Sequence, residues 1–288
     1  MEYNKIIITN LPSFYKINLY NRINQKAKIL VIFTGDTASM RNSDFFTGDI
    51  QFEYQSLVGL SNIRKLMKTY SIVKNIRYDE LIICGIHELT SWLCAFISPK
   101  NKNATVIESS YLEAGSTGIR ALLKRVFFKR ISVTYASGKA QKKYTDLYNF
   151  KGKIIITKGV GIFNIVDQPP YIPAVKVYDF IYVGRLSPEK NLFFLIETFN
   201  KLPQFNLHIV GYGPQENELK AIAKENIRFH GAVENTKLPE LYKSCDVFIL
   251  PSISEPWGLV VEEALNNGLP VLVSNKVGCA EEIIEENF

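Results

Sequence analysis

Short β-branched and aromatic runs alternate with stretches of helical periodicity along almost the whole chain, and that alternation restricts the fold more than any other feature. Lys5–Thr9, Lys28–Phe33, Glu80–Cys84, Ala104–Ile107, Ser132–Tyr135 and Lys153–Thr157 read as strands, with Asp49–Tyr54 a further candidate. Between them, apolar residues recur at helical spacing from Pro12 to Ile23 and over Asn62–Ile76, Leu89–Ile97, Ile119–Phe128 and Gly138–Tyr148. Thr34–Gly48 is polar and shows no period. After Val177 the alternation restarts, with strands at Asp179–Gly184, Asn206–Gly211, Ile227–Gly231, Asp246–Leu250 and Pro270–Ser274. Helices are expected to begin near Lys190, Pro214, Lys237 and Leu259. This pattern implies right-handed βαβ units and parallel sheets. The segment Gly159–Ala174, with Pro169, Pro170 and Pro173, reads as a linker. Two domains are therefore expected, 1–160 and 175–288, joined by 161–174; a chain of 288 residues suits two cores better than one.

Composition excludes several classes. Apolar content of 47% and charged content of 22% are ordinary for a globular chain. No apolar run reaches the roughly 18 residues of a membrane span. The start, Met1 to Thr9, enters a strand without a signal-peptide layout. Cys84, Cys94, Cys245 and Cys279 are widely spaced, which argues for reduced thiols and against a metal site or disulfide framework. A cytoplasmic protein is expected. Charge is unevenly spread: residues 1–150 hold 21 Lys and Arg against 11 Asp and Glu, and residues 151–288 hold 13 against 17. A basic front half suggests an anionic partner. With no nucleic-acid motif, an anionic membrane (the inner face of the plasma membrane) or a lipid diphosphate fits better than nucleic acid.

The chemistry gathers in Leu250–Leu265. A buried strand ends at Pro251, a loop follows, and Gly258 opens a helix carrying Val261, Ala264 and Leu265 on one face. Glu255 lies on the loop and Glu263 on the helix, with seven residues between them. The N–H groups near Gly258, Leu259 and Val260 make a helix N-terminus suited to an anion, and Gly258 lets a diphosphate approach the backbone. Carboxylates on either side can accept hydrogen bonds from sugar hydroxyls.

Glu255-Pro-Trp-Gly-Leu-Val-Val-Glu-Glu-Ala264 resembles, nearly letter for letter, the E-P-[FW]-G-L-V-x-x-E-A signature of glycosyltransferase family 4. The resemblance continues through Tyr182-Val-Gly-Arg-Leu-Ser-Pro-Glu-Lys-Asn191, Gly211-Tyr-Gly-Pro214, Phe229-His-Gly-Ala-Val233 and Asn267-Gly-Leu-Pro-Val-Leu272. It implies an α/β chain of GT-B fold: two Rossmann-like domains whose parallel sheets face across a cleft, the first binding acceptor and the second nucleotide sugar. Arg185 and Lys190 would then neutralise the departing diphosphate, Glu255 would contact the donor sugar, and Glu263 the nucleotide ribose. Gly211, Gly213, Val233, Gly258, Leu259 and Val260 would line the donor. His230, within a strand, reads as structural. The expected reaction is retaining transfer to an acceptor hydroxyl on a glycan or lipid-linked molecule, in bacterial-type polysaccharide or glycolipid assembly. No cofactor and no metal are expected, since the chain has no D-x-D motif. A sugar-nucleotide epimerase or phosphorylase of the same fold, or a non-catalytic sugar-nucleotide-binding subunit, are the alternative readings.

The chain departs from the family in several places. Lys158 stands where Asn is common before Gly159-Val160, Leu11-Pro-Ser-Phe-Tyr15 replaces a glycine-rich loop, and Cys279 replaces the second glycine of a pair. Family members continue beyond the position of Phe288, so the resemblance implies that the second domain is cut short here. In the front domain, Glu108 and His87 are the candidates to orient acceptor or act as acid or base. Ile119–Arg130 reads as an amphipathic helix whose apolar face (Ile119, Leu122, Leu123, Val126, Phe127) packs on the sheet with Arg120, Lys124, Arg125, Lys129 and Arg130 outside. Those charges also suit a peripheral contact with anionic membrane.

Overall fold

The computed structural model describes residues 2–35, 48–111, 114–159, 161–162, 165 and 176–284. Most of the Thr34–Gly48 loop, Val160, and the linker prolines 169, 170 and 173 lie outside the described residues. The chain divides into two compact units, Met1–Val160 and Gly161–Phe288.

The first unit holds β1 (Glu2–Thr9), α1 (Phe14–Asn24), β2 (Ile29–Phe33), β3 (Glu53–Ser56), α2 (Asn62–Asn75), β4 (Arg77–Cys84), α3 (Leu89–Ile97), β5 (Asn103–Ile107), α4 (Gly118–Phe128), β6 (Val133–Ala136), α5 (Lys139–Leu147) and β7 (Lys153–Ile156). All seven strands are parallel, in the order β3-β2-β1-β4-β5-β6-β7. The steps from β3 to β4 and on to β7 all run the same way across the sheet, so right-handed crossovers put α2 to α5 on one face and α1 on the other. The core follows suit: Ile72, Ala95, Phe127 and Tyr144 share one cluster, while Ile17 and Tyr20 of α1 belong to another. Strand β2 is buried along its whole length, as a central strand covered on both faces must be.

Two expectations change here. The third strand begins at Glu53 and not at Asp49. Residues 49–51 pair with α1 instead: the Asn21 and Asn24 amides donate to the Asp49 and Gln51 carbonyls, and the Gln51 N–H donates back to Asn21. Helix α4 is rotated relative to the expected packing, so that of the expected face only Phe127 is fully buried. Ile119 is 78% exposed and Leu122 58%, with Leu123 also exposed, while Ala121, Phe127 and Phe128 face the core. Phe127 meets Trp92 edge-on at 5.5 Å, and Phe128 stacks on Tyr148 at 5.9 Å. Aromatic anchors at the end of the helix bury more area than the aliphatic stripe would, and Ala121 permits close approach. Lys124 lies on the inner side too, its ammonium about 5 Å from the Tyr144 and Tyr148 rings.

The second unit holds β8 (Asp179–Val183), a 3-10 turn at Pro188–Lys190, α6 (Leu192–Phe199), β9 (Asn206–Val210), α7 (Glu216–Ile222), β10 (Ile227–Gly231), α8 (Leu238–Lys243), β11 (Val247–Leu250), α9 (Leu259–Asn266), β12 (Val271–Val273) and α10 (Ala280–Ile283). Its five strands are parallel in the order β10-β9-β8-β11-β12. Strand order reverses between β8 and β11, the place where open α/β sheets bind ligands beyond their carboxyl ends. Lys190 closes the 3-10 turn, and Asn191, in left-handed conformation at φ 59°, starts α6 one residue later. All four cysteines are free thiols, with Cys94, Cys245 and Cys279 buried.

Candidate functional site

Four loops meet at that reversal, and backbone hydrogen bonds tie them together. The loop after β11 (251–258) receives support from both sides. Its Ile253 N–H donates to the Glu189 carbonyl at 2.9 Å. On the other side Glu255 and Val277 form a parallel bridge: the Glu255 N–H donates to Lys276 and its carbonyl accepts from Gly278. The Cys279 N–H then donates to the Trp257 carbonyl at 2.9 Å. The loop after β8 (184–190) is held by the Gly211–Pro214 turn, where Leu186 N–H donates to Tyr212 and Gln215 N–H donates to Leu186. Gly211 donates in turn to Gly231 at the end of β10. Tyr182, wholly buried under the β8 loop, donates its hydroxyl to the Arg185 carbonyl at 2.7 Å.

On this frame Lys190 and Glu255, 65 residues apart, form a mostly buried ion pair. Arg185 reaches back to Glu189 at 3.0 Å, and the Ser187 hydroxyl donates to the same carboxylate at 2.7 Å. Burial pushes the Glu189 carboxyl up, but Ser187, its own N–H and the Arg185 charge together hold it below the ordinary range. Gly258 caps α9 at φ 94°, a conformation that a side chain adopts only with strain. That turn aims the Leu259 and Val260 N–H groups out of the first helical turn. Val233 packs against the core beyond β10. Arg185, Lys190, Glu255 and the α9 N-terminus thus share one edge of one sheet. Two cations and a helix end suit a diphosphate, and a buried carboxylate beside them suits a polar, neutral group.

Glu263, one turn further into α9, accepts a hydrogen bond from Tyr242 of α8 at 3.4 Å. Burial pushes its carboxyl up to about 7, opposed by Tyr242 and reinforced by the Glu262 charge. A carboxyl raised in the folded state favours folding most below its unfolded pKa, and that advantage disappears as pH rises through the folded value. Glu263→Gln removes the penalty while its amide oxygen still accepts from Tyr242. The variant is expected to be more stable than wild type at pH 8, by up to about 3 kcal/mol, and to lose that lead near pH 5. Thermal melts at the two pH values check this; a gap that does not change with pH would contradict it.

The second unit matches the family Glycosyl transferases group 1 over residues 169–288. Over those residues the chain is similar to that family. Over 287 aligned residues it is 29% identical to the O-antigen biosynthesis glycosyltransferase WbnH of Escherichia coli, covering 93% of this chain and 78% of that one. Over 108 residues it is 40% identical to the sulfoquinovosyl transferase SQD2 of Arabidopsis thaliana, 37% of this chain and 21% of that protein. The chain thus spans about a fifth of that longer relative, and 29% of an uncharacterized glycosyltransferase of Methanocaldococcus jannaschii. Among solved structures it resembles the lipopolysaccharide outer core galactosyltransferase WaaB in its apo form, with a TM-score of 0.71 and 15% identity over 99% of this chain and 84% of that one. It also resembles Anabaena HepE in complex with UDP, with a TM-score of 0.69 and 16% identity over 98% and 83%. These likenesses show the GT-B fold.

In the second unit, sequence reasoning missed the partners that set the chemistry of its carboxylates. Tyr242 arrives from a different helix, and Trp257 donates its indole N–H to Glu262, whose carboxyl burial pushes up. No periodicity carries such pairings. Cys279, in place of a glycine, caps α10 and packs its thiol against the Gly258 carbonyl; burial drives it to about 12. His230 lies in β10 with its ring stacked on His208, nitrogens 3.0 Å apart, and burial followed by the His208 and Arg228 charges holds it below the ordinary imidazole range. In the first unit, Glu108 follows β5, and its carboxylate is 3.8 Å from the buried ammonium of Lys16 in α1. Lys16 was not among the expected residues; a lysine in the first turn of an amphipathic helix carries no sign of burial. His87 is exposed just before α3. Among the described residues no group of three or more His, Cys, Asp or Glu is placed to hold a metal ion.

Proposed function

We propose that this chain transfers a sugar from a nucleoside diphosphate sugar to an acceptor hydroxyl, with retention of configuration, in the assembly of a surface polysaccharide or glycolipid. The observation that carries the reading is the Lys190–Glu255 pair at the strand-order reversal, beside Arg185 and the α9 N-terminus. In this reading Lys190, Arg185 and the Leu259 and Val260 N–H groups hold the diphosphate and stabilise its growing charge as the glycosidic bond breaks. That cationic set supplies the charge neutralisation a metal would otherwise provide, so turnover is proposed to be metal-independent. Glu255 faces the sugar as it gains positive character, and Glu263 accepts hydrogen bonds from the ribose. The departing phosphate takes the acceptor proton on the same face, so no enzyme nucleophile is needed. Glu108 orients the acceptor in the first unit. The O-antigen biosynthesis role of WbnH and the UDP bound by HepE support the substrate class. An anionic-membrane contact through the Arg120–Arg130 helix belongs to the same reading, because lipid-linked acceptors lie at such a surface.

Incubation of the protein with a panel of nucleotide sugars, with and without a lipid-linked acceptor, tests the proposal. Acceptor-dependent product with the donor's anomeric configuration by NMR is expected. Inversion would remove the retaining mechanism; a free epimer, or tight donor binding without turnover, would replace the proposal by an epimerase or a binding subunit.

Glu263→Gln and Glu255→Gln should also fail differently. A ribose contact is made equally before and during reaction, so Glu263→Gln is expected to raise the donor KM about tenfold with kcat little changed. Glu255→Gln is expected to lower kcat with affinity for the product nucleotide retained. Calorimetric titration of product nucleotide into both variants decides: equal weakening would assign both carboxylates to the nucleotide alone.

A further inference from the structure

Helices α2, α3 and α4 cover one face of the first sheet, and each turns an apolar stripe away from it. On α2 the exposed residues include Ile63, at 70%, and Met67; on α3, Leu89 and Phe96; on α4, Ile119 and Leu122. In each helix these positions are three, four or seven residues apart and so form one line on the outer side. A helix packed against a sheet ordinarily shows water a polar outer side, as α5 of the same layer does with Lys142, Lys143 and Asp146 exposed. Adjoining apolar stripes on three helices mark a surface that meets something other than water.

The charges around the stripes say what. The three helices contain seven Lys and Arg residues and no Asp or Glu. Among the described residues, no ion pair joins any of the seven to a carboxylate. Arg64, Lys68 and Arg120 are exposed beside the stripes, and Lys129 follows directly after α4. Two copies of so cationic a face would repel each other, whereas an anionic bilayer offers both a negative surface and an apolar interior. Half-buried Trp92, stacked on Phe96 at 6.2 Å, adds the aromatic type favoured at that depth. No described helix is long and apolar enough to cross a membrane, so contact would be in the plane of the interface.

We propose that the outer side of α2, α3 and α4 docks this protein on an anionic phospholipid bilayer, with the apolar stripes entering the interface and the flanking cations meeting headgroups. The inference rests on the membrane contact proposed above and extends it from the charges of one helix to an insertion surface on three. It is independent of sugar transfer, because its test contains no donor.

The test is co-sedimentation of the full chain with phosphatidylcholine vesicles, with and without phosphatidylglycerol at about 30 mol%. Wild type is expected to bind the anionic vesicles at least about tenfold more tightly than the neutral ones, with the difference shrinking as salt rises. Substituting Ile119, Leu122 and Leu123 together by Ser is expected to weaken binding to anionic vesicles about tenfold or more. Nucleoside diphosphate titration and the thermal midpoint of the triple variant should match wild type, which separates this outcome from failure of the donor-site reading. If the triple variant melts early, Leu89→Ser with Phe96→Ser on α3 carries the same test. Equal binding to both vesicle types, undiminished binding by the serine variants, or a wild-type dimer that these variants dissociate would each overturn the proposal.

Discussion

Lys190→Ala is expected to cost the protein both stability and turnover, and a second substitution separates the two losses. Lys190 and Glu255 are paired and mostly buried. Removal of the ammonium leaves a carboxylate without its counter-charge, a change that costs about 3–5 kcal/mol when the pair is fully buried and less where water still reaches it. Turnover should fall about 10²–10³-fold, as when one donor to a developing negative charge is lost. In Lys190→Ala with Glu255→Gln the stranded charge is gone, so much of the stability should return while turnover stays low. Urea unfolding and donor turnover of the two single variants and the double variant complete the cycle. Full recovery of turnover in the double variant would mean that the pair is a structural clasp and that the diphosphate is held elsewhere.

Gly278→Ala is expected to damage the site severely for so conservative a substitution. A Cβ at Gly278 would lie 1.9 Å from the Pro256 carbonyl oxygen and 2.7 Å from its carbon. Backbone on both sides of that contact leaves no flexible side chain to yield. The 276–279 loop must therefore separate from the 254–257 loop, breaking the Gly278 to Glu255 hydrogen bond. A loss of about 3 kcal/mol is expected, at the upper end for overpacking, together with loss of nucleotide binding because Glu255 moves with its loop. Gly268→Ala, at the end of α9 and exposed, provides the control: its φ of 84° makes it strained as well, but it touches neither loop. Comparable losses of nucleotide binding in both variants would show that strain alone, without the Pro256 contact, governs the site.

Local pattern was enough to read the strands, because a buried parallel strand needs a run of β-branched residues that few other structures use. The loops after β8 and β11 were legible for a different reason. Arg185, Lys190, Glu255 and Gly258 sit at fixed distances from strand ends, and a sheet edge converts sequence position into spatial position. What these residues do to one another was not legible. The Lys190–Glu255 pair depends on β8 and β11 being neighbours, a strand order that alternation alone does not specify. The hydroxyl that Tyr242 lends to Glu263 depends on how α8 leans on α9. Helix α4 shows the converse failure. Its widest apolar stripe suggested the buried side, but of that stripe only Phe127 is fully buried; with Phe128 and Ala121 it faces the core, and Ile119, Leu122 and Leu123 turn outward. An apolar stripe along one helix treats every apolar residue alike, whereas packing favours the side whose neighbours are aromatic. Asp49–Gln51 failed for a reason of the same kind: the asparagines of α1 claimed backbone groups that a strand would have needed.

The loops at the strand-order reversal are fastened to one another through main-chain groups: Ile253 to Glu189, Leu186 to Tyr212, Glu255 and Gly278 to each other, Cys279 to Trp257. Main-chain fastenings survive replacement of the side chains they carry. On the proposed reading, such a site can change which sugar or base it accepts by exchanging side chains around a fixed outline, without rebuilding the loops each time. Diversification should therefore concentrate at positions such as Ile253, Tyr212 and Lys276, whose backbone does the fastening while the side chain is left to vary.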